Sequence, residues 1–317
     1  MVLVESPAKV ILFGEHAVVY GYRAISMAID LKTTCTVEES DTTIINLKDL
    51  KKRLEIPIEE ILNLDVNEYG DFKYVLCAIK NTLLYLSSHK NLDLRDLRSF
   101  KLTLTSQIPI SCGLGSSASA TISTIRGISK FYGSYLNDDE VAKIGFGVEK
   151  EVQGKASATD TATITYKGLL EIERNNIKRI KGELKEFIKS CKFLICYCEE
   201  RKKKTSELVN EVAKHKNKDE IFRKIGNIVE KSKITFNKNE FGKLMNMNHN
   251  LLKELGVSTL KLDEVVEIGK IYGYGAKLTG AGGGGCVIIL VDEGKEDDLI
   301  NELKERDVEY FECRMVY

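Results

Sequence analysis

The chain has 317 residues, 43% of them hydrophobic, and a single core rarely grows past about 250–300 residues, so two domains of roughly 150 residues are expected. Lys plus Arg and Asp plus Glu each total 47, so the formal charge is zero and nothing calls for a nucleic-acid or membrane partner; attraction for an anionic ligand must be local. The first twenty residues carry Glu5, Lys9, Glu15 and His16 among short apolar runs and read as neither secretion signal nor transit peptide. No apolar run approaches the roughly 18 residues of a membrane span, which predicts a soluble cytoplasmic protein. Eight cysteines scatter through apolar stretches without the paired spacing of a zinc site and read as buried free thiols.

Residues 1 to about 13 and 24 to 38 read as strands joined by a segment holding Gly14 and Gly21, with further strands at Thr43 to Leu47 and Phe100 to Thr105. Between these, Phe72, Val75, Leu76, Ile79 and Leu83 recur at helical spacing and lay one apolar stripe on a helix. A second helix follows Gly115, signalled by Ile122, Ile125 and Ile128. A third runs from about Asp138 to Gln153, with Asn137 and Glu140 as an N-terminal cap and Gly154 just past its end. Strands are expected at Ala162 to Tyr166, Leu169 to Glu173 and Lys192 to Tyr197, then charged helices from Thr205 to about Tyr272. Strands at Ala276 to Thr279 and Cys286 to Val291, a helix near Asp297 to Glu305 and a strand near Tyr310 to Val316 complete an α+β order. The domain division is expected at 1–184 and 185–317.

Three segments carry chemistry. Pro109-Ile-Ser-Cys-Gly-Leu-Gly-Ser-Ser-Ala-Ser119 follows a predicted strand and enters a helix; Gly113 and Gly115 allow close backbone approach, and the helix start adds N–H groups and a positive dipole end. It lacks the Lys of a P-loop and the GxGxxG of a dinucleotide fold, and a plain turn with a serine cap uses the same residues. In Lys277-Leu-Thr-Gly-Ala-Gly-Gly-Gly-Gly-Cys286, five of the six residues from Gly280 to Gly285 are glycine, which suits close approach to a ligand or another loop; a flexible hairpin is the alternative. The segment from Ser6 to Gly21 is a strand ending in a Gly-Glu-His turn. Its Lys9 needs a partner carboxylate if buried, while Glu15 and His16 are open to a plain loop role.

In this order the three segments resemble the signature motifs of the GHMP kinases, and Lys-Val-Ile-Leu-Phe-Gly-Glu-His-Ala-Val-Val-Tyr-Gly looks like the mevalonate-phosphorylating branch. The resemblance implies a two-domain GHMP kinase fold, with an N-terminal domain similar to ribosomal protein S5 domain 2, a ferredoxin-like C-terminal domain and an active site in the cleft. It implies that Gly113, Leu114, Gly115, Ser116, Ser117, Ala118 and Ser119 hold the ATP phosphates, that Ser117 and Glu149 bind Mg²⁺, and that Asp160 is the catalytic aspartate with Lys9 beside it. Glu15, His16 and Thr205 match positions on the mevalonate side. Two departures stand out: Ala8 replaces a common glycine, and the loop before Asp160, Lys155-Ala-Ser-Ala-Thr, lacks the wording of animal members. The basic run Arg201-Lys-Lys-Lys204 is open to a solvated face or a role at the anion-binding mouth. Implied partners are mevalonate and ATP, without nucleic acid or membrane, and a homodimer is the assembly considered. Another GHMP specificity, such as phosphomevalonate or homoserine kinase, and an inactive ligand-binding relative are the alternatives.

Overall fold

The computed structural model describes residues 1–109, 112–154, 158–174 and 176–317. In chain order its elements are β1 (Val2–Phe13), β2 (Ala24–Glu39), β3 (Ile44–Leu47), β4 (Lys52–Glu55), α1 (Ile58–Ile61), α2 (Lys73–Lys90), β5 (Phe100–Ser106), α3 (Ser116–Phe131), α4 (Asp138–Gln153) and α5 (Thr159–Tyr166). There follow β6 (Leu169–Glu173), β7 (Asn176–Arg179), α6 (Glu183–Lys189), β8 (Phe193–Glu199), α7 (Thr205–Ala213), α8 (Lys218–Ser232), α9 (Lys238–Glu254), α10 (Leu260–Tyr272), β9 (Gly273–Thr279), β10 (Gly285–Val291), α11 (Glu296–Glu305) and β11 (Glu309–Cys313). Residues 110, 111 and 155–157, which include part of the first glycine segment and the loop before Asp160, lie outside the described residues.

Two compact units emerge. The first comprises Met1–Ala8, Leu31–Ile108 and Gly115–Tyr166. In it the later half of β2 pairs antiparallel with β5, from Thr33 opposite Ser106 to Glu39 opposite Phe100; β5 runs parallel to β3, and β4 closes that edge. Helices α2, α3 and α4 pack against one another, with α5 against α3 and α4. Their apolar faces and the strands share one core that includes Val37, Ile79, Leu102, Ile125 and Val148. The predicted cap of α4 is present in full: the Asn137 side chain accepts the Glu140 N–H at 2.9 Å and Glu140 accepts the Asn137 N–H at 2.8 Å, satisfying two N–H groups at the helix start.

One expectation is corrected here. Ala162 to Tyr166, read as a strand from its alternating Thr and Ile, is the second half of α5. Strand propensity reflects fit to a half-buried pleated face, but here Thr161, Thr163, Ile164 and Thr165 are buried all round. The Thr163 hydroxyl donates back to the Thr159 carbonyl at 2.6 Å, which satisfies it inside the helix.

The second unit comprises Lys9–Asp30, Pro109–Leu114 and Lys167–Tyr317. Its main sheet has the strand order β11-β8-β10-β9, all antiparallel, with helices between β8 and β9 and α11 between β10 and β11. That is the split βαβ arrangement of a ferredoxin-like domain. Val287, Ile289 and Val291 of β10 and Val265 and Ile268 of α10 lie in its core. The amino-terminal stretch of this unit joins the same core through Ala17 and through Tyr20, which stacks on Phe222 at 4.4 Å, while the ring of Phe13 meets Phe241 edge-on at 5.1 Å. Among the described residues no helix is long and apolar enough to cross a membrane, and the eight cysteines are free, seven of them buried.

Candidate active site

In the first unit, α3 starts directly after Gly115, whose φ of 79° is left-handed and whose missing side chain leaves the first-turn N–H groups without a side-chain cap. Ser117 in that turn is exposed, while Ser119 is buried and its hydroxyl donates to the Ser6 carbonyl at 3.0 Å, locking the helix start to β1. Glu149, expected on the edge of the apolar face of α4, is 4% exposed. Asp160 is half-buried in the first turn of α5, where the helix dipole favours a carboxylate.

Tyr74 on α2 ties these three together. Burial raises its phenol above the ordinary value, and the carboxylates of Glu149 and Asp160 act in the same direction; hydrogen bonds with Gln153 and Ser117 oppose them. One half-buried phenol is thus bonded to Ser117 and within the field of both acids. Sequence reasoning missed Tyr74, because it adjoins the apolar stripe of α2 and an aromatic there reads as core.

In the second unit, β1 ends at the Gly14-Glu15-His16 turn. His16 adopts φ 59°, a conformation that few side chains take, and its Nε2 lies 2.9 Å from the Ala281 carbonyl. A carbonyl only accepts, so Nε2 carries the proton and Nδ1 is the acceptor. Burial lowers the imidazole's pKa, and the positive charge of Arg201 lowers it further, against the opposing effect of the Ala281 bond. Nδ1 is buried without a protein partner among the described residues.

Glu15 faces inward. At 1% exposure it forms an ion pair with Lys277, itself fully buried, whose ammonium also donates to the carbonyls of Leu278 at 2.7 Å and Ile11 at 3.3 Å. Asn248 donates to the other Glu15 oxygen at 3.4 Å. Burial pushes the Glu15 carboxyl up and the Lys277 amine down, and each partner's charge counters the shift of the other. Lys9 is 2% exposed; its positive charge also favours the Glu15 carboxylate, and its backbone N–H bonds the Leu114 carbonyl at 3.0 Å. Lys277 stood inside a quoted motif, yet its role was invisible in sequence because its partner lies 262 residues away.

The glycine run is the hairpin joining β9 and β10, but a tightly packed one. A side chain on Gly282 would collide with the Val257 carbonyl, and one on Gly113 would lie 2.5 Å from the Arg201 guanidinium. Close approach is therefore required, although here it is to other parts of the protein. Thr205 opens α7, exposed, and its hydroxyl accepts from Arg201 Nη1 at 2.8 Å. The rest of the basic run is solvated, with Lys203 paired to Glu211.

Residues 73–168 match the GHMP kinases N terminal domain, and residues 233–308 match the GHMP kinases C terminal family. The sequence is 60% identical over 316 residues to the mevalonate kinase of Methanocaldococcus jannaschii, covering 99% of each chain. It is 35% identical to the mevalonate kinase of Thermococcus onnurineus, over 93% of this chain and 91% of that one. The crystal structure of the Methanococcus jannaschii mevalonate kinase matches with a TM-score of 0.95, covering 100% of this chain and 98% of the other.

Proposed function

The chain belongs to the GHMP kinases, and on that premise we propose that it transfers the γ-phosphoryl group of ATP to the C5 hydroxyl of (R)-mevalonate, giving 5-phosphomevalonate and ADP on the mevalonate route to isoprenoids. The observation that carries the chemistry is the gathering of Ser117, Glu149 and Asp160 about Tyr74. Full-length kinship at 60% identity supports mevalonate as the acceptor.

Phosphoryl transfer proceeds through a loose transition state with charge on the equatorial oxygens, so the protein contributes positioning and electrostatic stabilisation. The segment Gly113, Leu114, Gly115, Ser116, Ser117, Ala118 and Ser119 is proposed as the phosphate cradle, since the first turn of α3 has no side-chain cap and so offers its N–H groups and a positive dipole end to a ligand. Mg²⁺ fits the donors: the Ser117 hydroxyl and the Glu149 carboxylate are hard oxygens, and one or two protein ligands with waters and phosphate oxygens is this ion's usual mode. When bound, the ion would neutralise charge on the β- and γ-phosphates.

Asp160 is assigned the proton. Its carboxylate takes the hydrogen of the C5 hydroxyl as the oxygen bonds to Pγ and the bond from Pγ to the bridging oxygen breaks, its electron pair leaving with ADP. Lys9 is assigned the compensating positive charge. On the acceptor side, neutral His16 offers Nδ1 to a hydroxyl of mevalonate, and Thr205 adds a second polar contact. Glu15 contributes by anchoring the turn that sets His16.

The test is ADP release by the purified chain with mevalonate, ATP and Mg²⁺. Turnover abolished by EDTA and restored by Mg²⁺ is expected; turnover of phosphomevalonate or homoserine without mevalonate would overturn the acceptor assignment and leave the kinase standing.

A further inference from the structure

β9 ends the strand order β11-β8-β10-β9, and helix α9 lies along its outer edge, so close that a side chain on Gly275 would fall 2.2 Å from the Gly242 carbonyl. Two side chains of α9 take up N–H groups of that edge: Asn246 Oδ1 accepts from Ala276 at 2.8 Å, and His249 Nδ1 accepts from Leu278 at 3.3 Å. Since Nδ1 accepts, the proton of the His249 ring is on Nε2, which donates to Asp263 Oδ1 at 3.1 Å. Burial holds this imidazole down at about 4, although Asp263 beside it acts the other way, so the ring is neutral. Asp263 in turn accepts the Ser258 hydroxyl at 2.6 Å and pairs with the Lys253 ammonium at 2.7 Å. Next to Ser258, the Val257 carbonyl accepts the Gly283 N–H at 2.8 Å.

The Asp263 carboxylate therefore grips the glycine hairpin from both sides. Through His249 it holds Leu278, where β9 enters the hairpin, and through Ser258 and Val257 it holds Gly283 beyond the tip. Between these two tethers lies Ala281, whose carbonyl takes the Nε2 proton of His16. An amide is enough to satisfy an edge N–H, as Asn246 does two residues earlier on β9. An imidazole 2% exposed and oriented by a carboxylate is costlier to bury, and what it adds is an acceptor fixed in ring plane and tautomer. We propose that His249 and Asp263 are positioning residues for the acceptor side: they hold Leu278 to Gly283 so that Ala281 fixes the His16 tautomer, leaving Nδ1 to accept from the alcohol. All of these residues belong to the second unit. The inference rests on the reading of His16 as an acceptor-side contact.

The chain has four histidines, so histidine-selective ¹⁵N labelling with long-range ¹H–¹⁵N spectra reads the His16 tautomer directly. The parent is compared with His249→Gln, His249→Asn and Ser258→Ala. Asparagine places an oxygen near the position of Nδ1 and can still accept from Leu278, whereas glutamine reaches the position of Nε2 and keeps only the bond to Asp263. His249→Gln is expected to give mixed His16 tautomers and a KM for mevalonate at least about fivefold higher, with the Kd of ATP within about twofold, on the worth of one hydrogen bond. His249→Asn should keep the Nε2–H form and a KM within about twofold of the parent, a rescue that loss of ring packing alone would not give. Ser258→Ala leaves the ring in place and frees only the far tether; it should shift the His16 tautomer and KM the same way, by about twofold to fivefold. Equal KM increases in His249→Gln and His249→Asn would make the ring mere packing and overturn the proposal. So would a His16 tautomer unchanged in both His249→Gln and Ser258→Ala, and Ser258→Ala decides alone if the His249 variants do not fold. Mixed tautomers with an unchanged KM would uphold the tether and overturn the acceptor-side reading of His16, so the two failures are told apart.

Discussion

Replacing Lys277 by Met removes the ammonium that neutralises Glu15 while leaving a carboxylate in place that is 1% exposed. Both partners are buried, so solvent screening does not dilute the loss, and breaking such a pair from one side costs about 3–5 kcal/mol. For a unit of this size about 2–4 °C of melting temperature accompanies each kcal/mol, which predicts a fall of roughly 6–20 °C at pH 8. The deficit has a definite pH dependence. Burial already raises Glu15, and without Lys277 the folded-state value rises further above that of the unfolded chain; the stability linked to this group is then complete below the unfolded value and lost as pH rises through the folded one. Lys277→Met is thus expected to approach the parent toward pH 5 and to separate from it toward pH 8, followed by far-UV circular dichroism. In the double variant Glu15→Gln and Lys277→Met the amide still accepts from Asn248 without a charge, so most of the loss at pH 8 should be recovered. A single variant as stable as the parent at pH 8, or a double variant no better than the single, would refute the reasoning.

Asp160→Asn keeps size and hydrogen bonding but cannot take a proton; kcat should fall on the order of 10² to 10⁴ with substrate affinities nearly unchanged, and near-normal kcat in steady-state assays would favour a positioning role. His16→Ala should raise KM for mevalonate while leaving the Kd of ATP alone, because Nδ1 is the proposed acceptor contact; a change in ATP binding only would place the turn on the nucleotide side. Tyr74→Phe deletes the hydroxyl bonded to Ser117 and should raise the Mg²⁺ concentration for half-maximal rate by up to about tenfold, the worth of one hydrogen bond. An unchanged Mg²⁺ titration would show that Tyr74 merely packs.

Much of the architecture was legible because local signals agreed with the fold: the Asn137 and Glu140 cap, the stripe from Val75 to Leu83, and the strands on either side of the glycine run. The segment Thr161–Thr165 was not, since its β-branched residues suit a strand until the burial of every face is known. Motif residues were readable one at a time, but partnerships across hundreds of positions were not. Nothing near Glu15 in sequence points to Lys277, nothing near Ser117 points to Tyr74, and in the run from Arg201 to Lys204 four cations look alike until the Gly113 contact separates the first from the rest.

The second unit gathers Lys9–Asp30 with segments from the far end of the chain, and that has a consequence for synthesis on the ribosome. Ile11 donates to the Thr279 hydroxyl across a separation of 268 residues, and Phe13 has no ring to meet until Phe241 has been made. At about 5–20 residues per second these distant contacts wait on the order of tens of seconds to form. Throughout that interval β2, which follows closely, is at hand to pair with β1, but the side chains of Val10, Ile11, Leu12 and Phe13, all buried in the finished molecule, lack the late-made part of their cover. The packing of this strand is therefore completed only once Phe241 and Thr279 have been made.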